Sequence, residues 1–578
     1  MTTFRVWAPA AESVVLDLAG STVAMVAEER GWWHADVRDV DAGSDYGYRI
    51  DGSGPLPDPR SPSQPDGPHG LSRLVDHSAF PWADAAWRGL HLPSAVLYEL
   101  HIGTFSPEGT FAGAVQHLDH LVDLGITAVE LLPVAEFAGA RGWGYDGVDL
   151  FAPHSGYGGP DGLKELVDAC HQRGLGVILD VVYNHVGPEG AYLSSFGPYF
   201  TDHYSTPWGR AVNYDRPHAD EVRRFAIDNA LMWLRDYHVD GLRLDAVHAI
   251  IDSSAVHLLE QLATEVEELA ACVGRPLSLI AESDLNDPRL IRPREAAGHG
   301  LTAQWSDDLH HTIHTTLTGE VDGYYEDYGH LDQLATVLSE GWLFSGRWSE
   351  HRGRTHGRAL DGLPGWRLLG YLQNHDQVGN RATGDRIGHT VSTGRCKVGA
   401  ALYLLGPFVP MVFQGEEWGA SAPFQYFTSH TDAELGRAVA AGRRSEFRAF
   451  GWSPEEVPDP QDPATFERSK LDWDEVGDGE HAELLAWYAA CIALRRSTPA
   501  LGDGRLDRVA TTCDAGAGTL VVARGPVTIA VNIGTADAHL PLAPGRAGTV
   551  LLASDPFAVL DDATMHLPPD SVLVVGPT

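Results

Sequence analysis

Lysine is almost missing from this chain: Lys164, Lys397 and Lys470 are the only three in 578 residues, and arginine supplies the other basic charges. That bias reads as genome composition. Even with arginine, 41 basic residues face 79 acidic ones, giving a net charge of −38 and a pI near 5.0. Such a balance excludes nucleic acid and anionic membrane as partners, because both are held by basic surfaces. A neutral ligand such as a sugar is not repelled. Cysteine is scarce as well: Cys170, Cys272, Cys396, Cys491 and Cys513 are scattered, odd in number, and in no pair at metal-ligand spacing. That pattern excludes a disulfide framework and predicts reduced thiols in a cytoplasmic protein. The N-terminus has no basic stretch followed by an apolar one, so no secretory signal is expected. The longest apolar run, 398–415, is broken by Gly406, Pro407 and Pro410, whereas a membrane span needs about 20 apolar residues. Internal repeats and low-complexity tracts are also missing.

What is present is ample material for packed cores: 43% hydrophobic residues and 16 Trp. At this length the chain divides into several domains. Residues 1–92 are short alternating runs such as "TFRVWAP" and "DYGYRIDG", punctuated by Gly, Pro and Asp, the pattern of an N-terminal β-sandwich. Residues 93–502 alternate near-continuous apolar runs with amphipathic helical stretches. Eight such units predict an α/β (β/α)8 TIM barrel. A doubly wound open sheet is the competing fold, but it would carry a Gly-rich phosphate turn, and none is present. Residues 503–578 return to short strands and predict a C-terminal β-sandwich. Two long connections, an insertion at 186–217 and the segment 417–480, are expected to be functional loops.

Barrel active sites lie at the C-terminal ends of the strands, and there these apolar runs turn polar. Strand three ends in Asn184 and His185, strand four in Arg243 and Asp245 with His248 beyond, strand five in Glu282, and strand seven in Asn374, His375 and Asp376. Alone, Arg243 and Asp245 read as a structural ion pair, and Glu282 as a solvated strand end. Together, three carboxylates, an arginine and two histidines on one rim suit glycoside hydrolysis. That reaction needs one carboxylic acid to protonate the leaving oxygen, and a second carboxylate to attack the sugar or to activate water. Arg243, two residues before Asp245 on one strand face, favours the ionised form of Asp245. Glu282 follows the apolar "LIA", and apolar surroundings favour the protonated form that a general acid needs.

At these residues the chain resembles the α-amylase family of glycoside hydrolases. "DVVYNH" (180–185), "GLRLDAVHA" (241–249), "LIAES" (279–283) and "LQNHDQ" (372–377) resemble its four conserved regions, and "GYD" (144–146) and "FQGEE" (413–417) match further family positions. The N-terminal domain looks like the carbohydrate-module-like domain of branching and debranching members. The resemblance implies Asp245 as nucleophile, Glu282 as acid/base and Asp376 as transition-state stabiliser. It further implies Tyr145 stacking on the sugar at the cleaved position, with His185, Arg243 and His375 holding that sugar. A retaining mechanism follows, with the Asp245 and Glu282 carboxyls about 5–5.5 Å apart. Within the family, the stretches 303–329, 373–386 and 427–447 most resemble the branch that cuts the α-1,4 bond beside a terminal trehalose. The implied substrate is therefore an α-1,4-glucan oligosaccharide ending in trehalose. One departure is "PFQYF", where Gln425 separates "PF" from the aromatic pair.

Other features were weighed against this reading. His248 is placed to face the leaving group. In "SDDLHHTIH", His310 and His314 share a helix face as zinc pairs can, but no HExxH frame or third ligand accompanies them. Sugar hydrogen bonds are the expected role of this cluster, with Asp308 a substrate-binding residue. No metal and no cofactor are expected. "HLDH" (117–120) reads as a solvated helix face. Trp143, Tyr145, Tyr157, Trp208, Tyr324, Trp418, Phe424 and Tyr426 fall in predicted rim loops and are candidates for stacking on sugars. Competing functions are an α-glucan branching or debranching enzyme, and a non-catalytic carbohydrate-binding protein. The latter would lack a catalytic carboxylate, and all three are present. The sequence carries no signal for oligomeric state.

Overall fold

The computed structural model describes residues 1–446, 456–543 and 548–577; part of the segment 417–480, at 447–455, lies outside the described residues, as does Phe447 of the stretch 427–447. Eight parallel strands close into a barrel: β1 (Leu97–Leu100), β2 (Ala128–Leu131), β3 (Gly176–Val181), β4 (Gly241–Leu244), β5 (Ser278–Ala281), β6 (Ala303–Trp305), β7 (Leu368–Gly370) and β8 (Val409–Phe413). Each falls within one of the apolar runs. β8 pairs with β1, and β1 with β2, so no edge is left open. The strands are buried on both faces. Leu97, Ala128, Ile178, Ile280, Val409 and Met411 fill the lower barrel, while the outward residues pack under the helices. This two-sided burial is why the strands read as continuous apolar runs with no alternation.

The N-terminal region forms a three-stranded and a four-stranded antiparallel sheet. It docks on the barrel helix Ala219–Asp236 and the insertion 186–217. Trp7 meets Tyr199 edge-on at 5.2 Å, Trp32 Nε1 donates to Glu221 at 3.1 Å, and Arg60 pairs with Asp228 at 2.8 Å. The aromatic side of this sandwich is therefore turned to the barrel. The C-terminal region forms five-stranded and three-stranded sheets. Arg395 of the barrel helix Thr393–Leu404 pairs with Asp570 at 3.0 Å, and Arg524 Nη1 donates to the Leu405 carbonyl at 2.6 Å. Lys397 on the same helix pairs with Glu483 and reaches the Ser554 carbonyl.

The long connections are not structureless. The insertion 186–217 holds a helical turn (Leu193–Phe196) and a hairpin (Phe200–Thr206 with Gly209–Val212). The segment after β8 carries the helices Ala433–Glu446 and Pro463–Arg468. "HLDH" is not a solvated face either: His117 stacks on Trp473 at 3.8 Å, and His120 bonds the buried Glu417 at 2.9 Å. All five cysteines are unpaired, and burial pushes the thiols of Cys170, Cys396 and Cys491 up, away from the reactive thiolate. Among the described residues no helix is long and apolar enough to cross a membrane.

At the closed end of the barrel, Asp240 is fully buried just before β4. It accepts from Trp87 Nε1 (2.8 Å), the Val177 backbone N–H (2.9 Å) and Arg275 Nη1 (2.8 Å), and bonds His171 Nε2 (3.0 Å). It thereby ties the segment leading into β1 to β3 and to the turn before β5. Asp240→Ala leaves a buried cation and several donors unpaired. We expect a loss of about 3–5 kcal/mol, read from the midpoint of urea unfolding. A loss below about 1 kcal/mol, the worth of an exposed pair, would contradict this assignment.

Candidate active site

Inward positions of the strands alternate with outward ones, so β3 and β4 point Asp180 and Arg243 into the barrel at the same level, where the two residues are register partners. Arg243 is fully buried. Its Nη1 donates to Asp180 Oδ2 (2.7 Å), Asp245 Oδ1 (2.8 Å) and the Tyr145 hydroxyl (3.3 Å). Its guanidinium lies over the Trp305 ring at 4.3 Å, and its Nη2 is 3.8 Å from Glu282. The second oxygen of Asp245 accepts from Asn184 Nδ2 at 2.6 Å. Asp245 is thus fixed by strand three and strand four together, each of its oxygens facing a donor.

The residue after Asp245 explains how Glu282 is held. Ala246 adopts a left-handed backbone, φ 38° and ψ 50°. For a residue with a Cβ this costs about 1–2 kcal/mol. In that conformation its N–H donates to Glu282 Oε2 at 2.6 Å. The strain therefore aims a donor across from β4 to the carboxyl at the end of β5. Burial, with the negative charges of Asp245, Asp307 and Asp376, pushes the Glu282 carboxyl well above the usual glutamate range, against the pull of Arg243. Burial thus favours the protonated form of Glu282, while Asp245 is the charge-paired member.

Strand seven brings the third carboxylate. Asn374 caps the short helix His375–Gly379 by accepting the Gln377 N–H at 2.8 Å. The cap places Asp376 in the first turn, 40% exposed and open to the cleft. His375 Nε2 is 2.8 Å from the Tyr145 hydroxyl, which donates to Asp180 at 2.6 Å, and the Tyr145 and His375 rings stack at 5.2 Å. His185 bonds Asn184 through Nδ1 and the Tyr145 carbonyl through Nε2 at 3.1 Å. Trp208, at the tip of the hairpin in the insertion, stacks on the His185 ring at 4.8 Å with its own outer face exposed.

The structure thus gathers Tyr145, His185, Arg243, Asp245, Glu282, His375 and Asp376 into one connected set. His248 stands on the rim, exposed. Asp308 lies in the wall of the same cleft. Its carboxylate is buried and accepts from the Tyr328 hydroxyl (2.7 Å), Asn286 Nδ2 (2.9 Å) and the backbone N–H groups of Leu343 (2.6 Å) and Phe344 (3.0 Å). With four donors it holds the loops together, three of them on Oδ2 and one on Oδ1. Its neighbour Asp307 lines the cleft with it. Asp307 accepts from the Tyr371 hydroxyl at 2.5 Å, and burial raises its pKa. It lines a cavity of about 250 Å³ together with Asp284, His311, Tyr324, Arg352 and Asp376.

The histidines of the "SDDLHHTIH" helix are likewise engaged. His310 bonds the Leu372 carbonyl (2.6 Å) and Tyr325 (2.8 Å), His311 the Asp307 carbonyl (2.5 Å), and His314 pairs with Glu320 (2.7 Å). Of the predicted rim aromatics, Trp143, Tyr157, Trp418 and Phe424 are buried packing residues, whereas Trp208, Tyr145, Tyr324 and Tyr426 keep exposed surface. Gln425 is buried and tied to the Thr383 carbonyl at 2.8 Å. Sequence reasoning missed Glu99 and Asp180. Their signal was a carboxylate at an inward position of an apolar strand, in "LYEL" and "VILDV".

The model of the alpha amylase catalytic domain matches residues 69–208, and that of carbohydrate-binding module 48, the isoamylase N-terminal domain, matches residues 1–63. Malto-oligosyltrehalose trehalohydrolase from Arthrobacter ramosus is 54% identical over 92% of this chain and 92% of its own length. The protein of that name from Mycobacterium tuberculosis is 50% identical over 98% of this chain and 97% of its own. Among solved structures, a Salmonella typhimurium protein assigned as an alpha amylase superposes with a TM-score of 0.91, at 40% identity, covering 99% of this chain and 97% of its own. The chain is a glycoside hydrolase of the α-amylase family, and within it belongs to the malto-oligosyltrehalose trehalohydrolases.

Proposed function

We propose that the enzyme hydrolyses the α-1,4 bond beside the terminal trehalose of maltooligosyltrehalose, releasing trehalose and a maltooligosaccharide. The chemistry rests on one observation: two adjacent carboxyls in opposite electrostatic settings, Asp245 charge-paired with Arg243 and Glu282 held protonated by burial and negative neighbours. An Asp245 oxygen attacks the anomeric carbon of the cleaved sugar. Glu282 gives its proton to the departing oxygen of trehalose as the glycosidic bond breaks. The maltooligosyl chain is then esterified to Asp245. Glu282, now a carboxylate, takes a proton from water, whose oxygen attacks the anomeric carbon and frees Asp245. Asp376 opposes the positive charge that develops on the sugar ring. Arg243, His185 and His375 hold the sugar, with Tyr145 beneath it and His248 toward the leaving group. The choice of trehalose as leaving group is supported by relatives of that name that match over nearly the whole chain. A branching or debranching activity would use the same carboxyls but needs a second glucan chain as acceptor or an α-1,6 bond.

Incubation with maltooligosyltrehalose and, separately, with plain maltooligosaccharide is expected to yield free trehalose from the first. Products limited to maltose or transferred branches would sink the reading. Asp245→Asn should remove at least about 10⁴-fold of turnover, by analogy with loss of a group acting in covalent catalysis, while substrate binding by calorimetry persists. Near-normal turnover would remove Asp245 as nucleophile. Because the Glu282 pKa is raised, its proton is lost only above the ordinary glutamate range, so kcat/KM should fall on the alkaline side as that proton leaves. Glu282→Gln should remove most of the activity and alter this limb, leaving only the decline that follows loss of the His375 proton; a limb identical to wild type in the residual activity would assign it elsewhere.

A further inference from the structure

His375 carries more structure than a sugar ligand needs. Glu99, an inward residue of β1, accepts from it twice. His375 Nδ1 meets Oε1 at 2.5 Å, and the His375 backbone N–H donates to Oε2 at 2.9 Å. Both side chains are buried, and β1 and the β7 end that carries His375 lie far apart in sequence. The ring cannot turn while both bonds hold, so Nε2 is the one nitrogen presented to the cleft.

We propose that Glu99 is a positioning residue of the hydrolase: a clamp and counter-ion that keeps His375 a hydrogen-bond donor to the sugar at the cleaved position. The inference rests on the reading that His375 grips that sugar. With Nδ1–H committed to Glu99, only the doubly protonated ring offers a donor at Nε2. A bare imidazolium there would oppose the positive charge that grows on the sugar ring in the transition state. The Glu99 carboxylate cancels that charge and leaves the donor in place.

The groups around the ring fit this assignment. Asp376 from its own helix lies 3.5 Å from Nε2. Tyr145 is the neutral partner of Nε2. Arg243 from β4 opposes the charge, and its guanidinium is committed to Asp180 of β3 and to Asp245. His101, beyond β1, is buried and neutral, its pKa driven down to about 3 by desolvation. Glu130, the β2 neighbour of Glu99, is pushed well above the carboxylate range by burial and by the Glu99 charge, and its two oxygens have no hydrogen-bond partner among the described residues. Its neutral form is therefore the favoured one, which makes it a poor substitute for Glu99 as counter-ion. Burial works against a charge on His375, and the carboxylates of Asp376 and Glu99 overcome it, holding its pKa at about 9.

Three variants of the full chain test this: Glu99→Gln, Glu99→Asp and Glu130→Gln. Each is measured for kcat and KM against pH, on both maltooligosyltrehalose and plain maltooligosaccharide, and by nitrogen-15 histidine NMR titration, with the His375 signal assigned by its loss in His375→Asn. Glu99→Gln keeps the shape and removes the charge, so the His375 titration should fall by about one unit or more. Its kcat should drop by about 10- to 100-fold, more than KM changes, and its activity should decline from a lower pH on the alkaline side. Glu99→Asp retains the charge, so the His375 titration should stay near the wild-type value while kcat falls from the shortened reach. Glu130→Gln should leave the titration and the profile in place. An unmoved His375 titration in Glu99→Gln overturns the proposal, as does an equal shift in Glu130→Gln. These outcomes are independent of trehalose specificity, because the shift is expected on both substrates, whereas failure of the trehalose reading appears as no trehalose release by the wild type.

Discussion

Arg243 is a fully buried cation at the level where the carboxyls of four strands converge: Glu130 of β2, Asp180 of β3, Asp245 after β4 and Glu282 after β5. One positive charge cannot satisfy four negative ones in a low-dielectric interior. The barrel resolves this by geometry. The guanidinium bonds Asp180 and Asp245 at 2.7 and 2.8 Å and leaves Glu282 at 3.8 Å. Burial raises the pKa of Asp180 to about 7 and raises those of Glu130 and Glu282 as well. Which carboxyls are ion-paired follows from where that single side chain points.

From this arrangement the reactivity of the pair is derived without further parts. A charge-paired carboxylate and one whose protonated form burial favours stand at the ends of the adjacent parallel strands β4 and β5, and the strained Ala246 N–H reaches from the first strand to the second carboxyl. Local strain of this kind persists only where the surrounding structure enforces it. Here the closed barrel does so, since β4 is paired on both sides and Ala246 is buried.

The periphery shapes what reaches that pair. The N-terminal sandwich spends its Trp7 and Trp32 on the barrel, so its main contribution near the cleft is to brace the insertion that carries Trp208 to His185. On the opposite side, the loops after β6 are fixed by Asp308 and its four donors, leaving Asp307, Tyr324 and Arg352 to line the space beyond the carboxyls. Asp308, predicted as a ligand, also anchors the wall that it shares with Asp307.

The pattern of apolar runs alone specifies the barrel and the position of its chemistry. Strands buried on both faces need near-continuous apolar runs, and a polar residue at the end of such a run has only the rim to go to. That is why Asn184, Arg243, Asp245, Glu282, His375 and Asp376 were legible one by one. Which polar groups commit their hydrogen bonds to the protein is settled by long-range packing. Asp308 and Asp307 are neighbours in the first turn of one helix and line one cavity, yet one takes donors from three other segments and the other from Tyr371. Glu99 sits inside an apolar strand like a packing residue, and its partner lies on the far side of the sequence at the end of β7. Pairings of this kind depend on strand register and loop closure across hundreds of residues, and hydrophobic periodicity carries no record of them.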